Sequence, residues 1–171
     1  MIAIFSDTHS TGGHELTGAA LDAAREADAV VHAGDFKTEA ALDAFQAVSE
    51  TLFAVSGNVD EPSVGDRLPE ERTIEAEGLR LAVRHQPGGG ETALAMFGRE
   101  RGADVVVFGH THRPTLVETD DVVLLNPGSH AQPRGFQPGF ATVERTETGL
   151  RGEIRDPVDG KPFESFERDL G

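Results

Sequence analysis

The chain contains no cysteine, which excludes a disulfide framework, a thiolate metal site and a cysteine nucleophile. Any metal held here must be bound through nitrogen and oxygen. Lysine is almost as scarce, with Lys37 and Lys161 the only two. Fifteen Lys+Arg against 30 Asp+Glu leave a formal net charge of -15. That balance lacks the clustered basic residues a duplex groove needs at ordinary salt, so it argues against nucleic acid as a partner. It also suits a salt-rich cytosol, where the self-repulsion of an acidic surface is screened over about 3 Å at molar ionic strength. A halophilic, cytoplasmic protein is the expectation. No long hydrophobic run is present: Met1 to Phe5 is apolar but far too short to span a bilayer. No basic region followed by a cleavage pattern marks a signal peptide, so no membrane partner is expected. Internal repeats and low-complexity tracts are missing as well.

What remains is 171 residues, 37% of them hydrophobic, with Gly 20 and Pro 9. This is the size and composition of one ordinary folded domain, taken to run over 1–171. Short apolar runs alternate with Ala-rich helical stretches, which reads as an α/β layered domain. Strands are predicted over Ile2 to Phe5, Ala29 to His32 and Leu52 to Val55. Between them fall a helix from Glu15 to Ala27 and another from an N-cap at Thr38 through Val48. Pro62 to Pro69 reads as a loop, and Thr73 to Glu77 with Leu79 to His85 as a hairpin about Gly78. Glu91 to Arg101 is a helix stopped by Gly102, followed by a strand from Asp104 to Phe108. Pro114 to Glu118, Val122 to Leu125 and Phe140 to Glu144 complete an all-strand second half. From about Leu150 the chain turns polar and reads as an extension, with Phe163 and Phe166 tacking it to the body. Helix-linked strands first and hairpin-linked strands later suggest two facing sheets with helices outside, ranked above one doubly wound sheet.

Polar residues able to bind metal recur just after the apolar runs, where open α/β sheets gather their sites. Asp7 and His9 follow the first strand, Asp35 follows the second and Asn58 the third. His85 ends the run from Leu79, and Gly109-His110-Thr111-His112 follows Val105 to Phe108. A pair of divalent ions about 3.5–4 Å apart repels strongly, so one carboxylate must bridge them. A two-residue spacing in extended chain sends both side chains to one side, which would let Asp7 with His9, and His110 with His112, converge on a pocket. Gly34, Gly57 and Gly109 would permit the turns that aim Asp35, Asn58 and His110 inward. Singly these motifs are weak; five in order, each at a strand end, are specific.

Ser6-Asp7-Thr8-His9, Gly34-Asp35, Gly57-Asn58-Val59-Asp60, His85, Gly109-His110-Thr111-His112 and Asn126-Pro127-Gly128-Ser129 resemble the calcineurin-like metallophosphoesterase family. The similarity covers roughly 1–145 and is strongest to the branch of small bacterial and archaeal phosphodiesterases. The resemblance implies a four-layered αββα sandwich with two facing, mostly mixed β-sheets. It implies two divalent ions, with manganese preferred and nickel, iron, zinc or cobalt as alternatives. Asp7, His9, Asp35 and His112 would hold one ion and Asp35, Asn58, His85 and His110 the other, with Asp35 the bridge. Asp35, Asn58 and His110 would be the catalytic set, and a hydroxide held between the ions would attack a small phosphodiester in line. Two alternatives stand beside this: a phosphomonoesterase, and a weakly catalytic interaction scaffold resembling the retromer scaffold subunit. The sequence is compatible with a homo-oligomer.

Two departures from the family pattern stand out. Many members carry a His directly after Gly-Asn, where this chain has Val59, so a good leaving group is expected to be needed. Gln86 and Pro87 separate His85 from the glycines usual after that motif. Other polar residues read more blandly. His32 is expected as a core histidine, His14 as a solvated loop residue and His130 as part of a structural turn. Asp60 would either support Asn58 or cap the following turn. Arg84, Arg113 and Arg134 are the candidates for gripping a substrate phosphate.

Overall fold

The computed structural model describes residues 1–170. β1 (Ile2–Phe5), β2 (Ala29–His32) and β3 (Leu52–Ala54) are parallel neighbours, linked by α1 (Gly18–Glu26) and α2 (Glu39–Val48). After the short α3 (Pro62–Gly65), β4 (Glu71–Ala76) and β5 (Leu79–Arg84) form an antiparallel hairpin. α4 (Gly90–Glu100) then leads to β6 (Val105–Val107), which lies parallel to β5. β7 (Thr115–Glu118) and β8 (Val123–Asn126) complete the second sheet, in the order β4-β5-β6-β8-β7. The chain returns to the first sheet as β9 (Phe140–Arg145), β10 (Gly149–Arg155) and β11 (Pro162–Asp169), giving the order β11-β10-β9-β1-β2-β3. Both sheets mix parallel and antiparallel pairs.

The apolar runs are continuous because the central strands are covered on both faces. Ile2 and Ile4 point into a core shared with Leu81, Val83, Val105 and Val107 of the other sheet. Their neighbours Ala3 and Phe5 pack instead against Ala20 and Ala24 of α1 and Leu42 and Phe45 of α2. In the second sheet Ala82, Val106 and Leu124 meet Leu94 and Phe97 of α4. Helices, sheet, sheet and helix therefore stack in the αββα order. The carboxyl ends of the parallel strands β1, β2, β3, β5 and β6 are where the metal-binding motifs begin.

Several boundaries differ from the sequence expectation. The first helix starts at Gly18 rather than Glu15, because Glu15 and Gly18 take left-handed φ values of 55° and 52°. Within the loop expected over Pro62 to Pro69, Pro62 starts the single turn of α3, where its fixed φ suits a first helical position. The largest correction is the C-terminal extension, which is two full strands. β10 pairs with β9 from Leu150↔Arg145 to Arg155↔Phe140, and β11 pairs with β10 along its length. Leu150 and Ile154 face the common core with Phe166, while Arg151 and Glu153 point away from it. Gly152 sits beneath the Phe166 ring, where a Cβ would come within 2.4 Å of it.

Because Phe166 is built into the inter-sheet core, Phe166→Ala should destabilise the protein by about 3–5 kcal/mol in urea unfolding. A loss below about 1 kcal/mol would mean that the ring merely rests on the surface.

Candidate metal centre

Beyond the end of β1, the chain keeps a ladder with the loop after β2. Asp7 N–H donates to Gly34 O at 3.0 Å, His9 N–H to Asp35 O at 2.9 Å and Ser10 N–H to Phe36 O at 3.1 Å. The backbone there is not extended, contrary to the spacing argument. Asp7, His9, Asp35, His110 and His112 all have positive φ, between 46° and 71°. A left-handed conformation costs a non-glycine residue roughly 1–2 kcal/mol, so five such residues together need a fold that enforces them. The side chains converge through this turning of the backbone, not through strand periodicity. Of the three glycines, only Gly34 uses a left-handed φ, of 96°. Gly57 and Gly109 are needed for space instead. A Cβ would meet Asp35 Oδ1 at 2.1 Å in the first case and Ser6 Oγ at 2.0 Å in the second.

All seven residues singled out from the sequence meet. Asp7, His9 and His112 form one group able to hold a metal ion, and Asp7, Asp35 and His85 another. Asp7 Oδ1 lies 3.8 Å from His9 Nε2 and 3.4 Å from His112 Nε2. Asp7 is common to both groups, and Asp35 Oδ2 also reaches across them, 3.2 Å from His9 Nε2 and 3.1 Å from His85 Nε2. On the far side, Asn58 Oδ1 is 3.0 Å from His85 Nε2 and 2.9 Å from His110 Nδ1. Asp7, Asp35, His85 and His112 are buried, whereas Asn58 and His110 are exposed. One side of the centre is thus closed and the other open to solvent.

The donor set fits divalent cations. His85 Nδ1 donates to Ala33 O at 2.7 Å, which leaves its Nε2 lone pair facing Asp35 and Asn58 oxygens. His112 Nδ1 is bonded to Gln132 O in the same way, and its buried Nε2 has no hydrogen-bond partner. His9 Nε2 is likewise buried and lies off the line a hydrogen bond to Asp35 would need. Lone pairs aimed at lone pairs require positive charge between them, either protons or metal. Imidazole and carboxylate together suit first-row divalent ions.

A family model described as the calcineurin-like phosphoesterase superfamily domain matches residues 1–148. The chain belongs to that superfamily. A protein from Methanothermobacter thermautotrophicus named as a probable metallophosphoesterase is 35% identical over 158 residues, 90% of this chain and 91% of its own. One from Methanocaldococcus jannaschii named as a phosphodiesterase is 27% identical over 172 residues, 92% of this chain and 98% of the other. Among solved structures, wild-type Vps29 of Entamoeba histolytica complexed with zinc superposes with TM-score 0.75 at 22% identity, covering 99% of each chain. At that identity the superposition speaks for the fold alone.

In this phosphoesterase, protons occupy part of the space that cations would claim. The Asp35 and Asp7 carboxylates raise the His9 pKa from 6.5 to about 9. Burial works against the His85 imidazolium, yet Asp35 beside it still raises its pKa. Burial would raise the Asp35 pKa, but the His85 and His9 imidazoles beside it outweigh that and hold the carboxyl well below the usual range. Burial lowers the His112 pKa, which keeps its Nε2 free.

A second layer of residues holds the ligands in place. Asp7 accepts from Ser6 Oγ–H at 2.7 Å and from His110 N–H at 3.0 Å. Ser129 Oγ–H donates to Asp7 O at 2.8 Å, and Asn126 Nδ2 donates to Gly109 O at 3.0 Å. The Asn126-to-Ser129 turn therefore ties the first and fifth motifs together. Asp60 accepts N–H groups from Gly57 at 2.7 Å, Lys37 at 2.7 Å and Asp35 at 3.2 Å, fastening the loop of Asp35 to that of Asn58. The Ala33 and Gln132 carbonyls escaped the sequence reading because any residue supplies a carbonyl.

The remaining histidines stand outside the centre. His32 Nδ1 accepts from Gly34 N–H at 3.2 Å, and its Nε2 bonds Thr8 Oγ1 at 2.8 Å, so both ring nitrogens are engaged. His14 Nδ1 accepts from Leu16 N–H at 2.9 Å, while His130 Nε2 bonds His14 O at 2.8 Å.

Replacing Asp60 by Asn sets an amide where three N–H groups need acceptors. The expected result is a 10- to 100-fold loss of Mn²⁺ affinity by titration calorimetry, with the circular dichroism spectrum unchanged. The sign of the His9 shift makes a second prediction. In the metal-free protein the His9–carboxylate interaction contributes stability that is complete below pH 6.5 and lost as pH rises through about 9. The melting temperature in EDTA should fall over that interval, while Mn²⁺ affinity rises as the competing proton leaves. A metal affinity that is flat from pH 6.5 to 9 would contradict the assignment of His9.

Proposed function

We propose that this phosphoesterase hydrolyses a small phosphodiester and that Asp35 is among the residues that would hold two divalent ions. The observation that carries this reading is the place of Asp35 Oδ2, 3.2 Å from His9 Nε2 and 3.1 Å from His85 Nε2, with each histidine belonging to a different ligand group. His9, His112 and Asp7 would hold one ion; His85, His110 and Asn58 would hold the other; manganese is the preferred occupant. When bound, the ions supply Lewis acidity toward phosphoryl oxygens and an acidified water for attack. The chain supplies geometry. Asp7 and Asp35 bring two carboxylates into a buried setting, and His110 and Asn58 face the open side from which a substrate would arrive.

Residue 59 is what favours a diester. Val59 is 39% exposed and its N–H donates to Asp35 Oδ1 at 2.9 Å, but its side chain has no proton for a departing alkoxide. A substrate with a weakly basic leaving oxygen fits that deficit, whereas an unactivated monoester does not. The M. jannaschii relative named as a phosphodiesterase supports the same preference. A complete ligand set favours the enzyme over the interaction scaffold, since a binding platform would not need to enforce five left-handed ligands. The acidic surface points to a salt-rich cytoplasm as its setting.

Asp35→Ala should abolish hydrolysis of bis(p-nitrophenyl) phosphate with added Mn²⁺ at high salt, a loss of at least about 10³-fold. Wild-type turnover by that variant would remove Asp35 from the mechanism.

A further inference from the structure

Beside the open half of the centre lies a cavity of about 220 Å³, bordered by the ligands Asn58 and His85. Its other walls are Ser56, Glu70, Glu71, Arg84 and Gln86, together with backbone at Gly57, so no apolar side chain lines it. The volume falls below the roughly 300–1,000 Å³ of pockets that take drug-sized ligands. The cavity has room for a compact group, not for a polymer strand.

Arg84 is the one cation in the lining. Its guanidinium rests over the Phe97 ring, 5.2 Å from the centroid, and its ion pair with Glu71 is a long 3.8 Å. Glu71 is turned partly away, accepting from Arg101 Nη2 at 3.1 Å. Arg84 thus keeps its donors for something else, while Glu70 makes no ion pair among the described residues. Two carboxylates and one guanidinium repel a second phosphate. They match a group that both donates and accepts hydrogen bonds, as neighbouring hydroxyls do. The guanidinium does not titrate, so Arg84 has no proton to deliver to a departing oxygen. That chemistry suits the ester group that stays on phosphorus.

We propose that this cavity holds the retained ester group of the substrate, and that Arg84, Glu70 and Gln86 select a small polyhydroxylated alcohol there. The proposal rests on the phosphodiesterase reading above. In the hydrolysis, water oxygen bonds to phosphorus while the bond to the other alcohol breaks. That alcohol leaves with a proton, and the product is a polyol monophosphate still seated beside Asn58.

The test is calorimetric binding to the Mn²⁺-loaded protein, with inorganic phosphate, glycerol 3-phosphate and phenyl phosphate as probes. Glycerol 3-phosphate should bind about tenfold more tightly than inorganic phosphate, and phenyl phosphate should gain no such advantage. In Arg84→Met and in Glu70→Gln that preference should shrink to within about threefold, with melting temperatures close to wild type. The proposal is overturned if glycerol 3-phosphate binds no better than phosphate, if phenyl phosphate gains as much, or if the preference survives both substitutions. Failure of the wild type to bind inorganic phosphate at all, or to hydrolyse any phosphodiester, would instead overturn the function on which it rests.

Discussion

Imidazole nitrogens, two carboxylates and an amide oxygen face one another across a few ångströms, and the surrounding structure stops them moving apart. Asp35 Oδ2 alone faces two imidazole nitrogens at 3.1 and 3.2 Å. Asn58 Oδ1 faces two more at 2.9 and 3.0 Å. Such an arrangement is costly when empty of positive charge, because desolvated acceptors gain nothing from each other. Protons on His9 and His85 relieve part of that cost, which is why the carboxylates raise both pKa values. A cation relieves it better and in the same place, so metal affinity and local strain are two aspects of one arrangement.

The opposing force is spread through the backbone. Five of the seven residues sit in left-handed conformations, held by hydrogen bonds from groups outside the set. Hydrogen bonds from the loop after β1 to the loop after β2 set the Asp7 and His9 turns. Asp60 fastens the β2 loop to the β3 loop, and Asn126 with Ser129 fastens the first motif to the fifth. Gly57 and Gly109 give the clearance through which carboxylates and backbone approach within contact distance. The pleated sheets beneath them are rigid because both of their faces are packed, which makes the loops' anchoring points stationary.

Asymmetry follows from where the strands end. Asp7 and Asp35, after β1 and β2, are buried, while Asn58 and His110, after β3 and β6, reach the surface. Solvent reaches the centre from that side, and the polar cavity adjoining Asn58 and His85 lies there. Val59, exposed on the same side, carries no group able to protonate a leaving oxygen.

Most of the elements up to about residue 145 were legible in the sequence: continuous apolar runs mark doubly covered strands, and polar residues following them mark a site at the strand ends. The seven side chains it singled out lie together at those strand ends. It misjudged the region from about Leu150, where the inward positions Leu150, Gly152 and Ile154 are diluted by Arg151 and Glu153. A strand covered on one face alone carries only half the hydrophobic signal. Only the tertiary structure decided how the ligands converge. Left-handed φ values, the Ala33 and Gln132 carbonyls and the three N–H groups on Asp60 arise from loops far apart in sequence closing on one another, and no local pattern encodes such meetings.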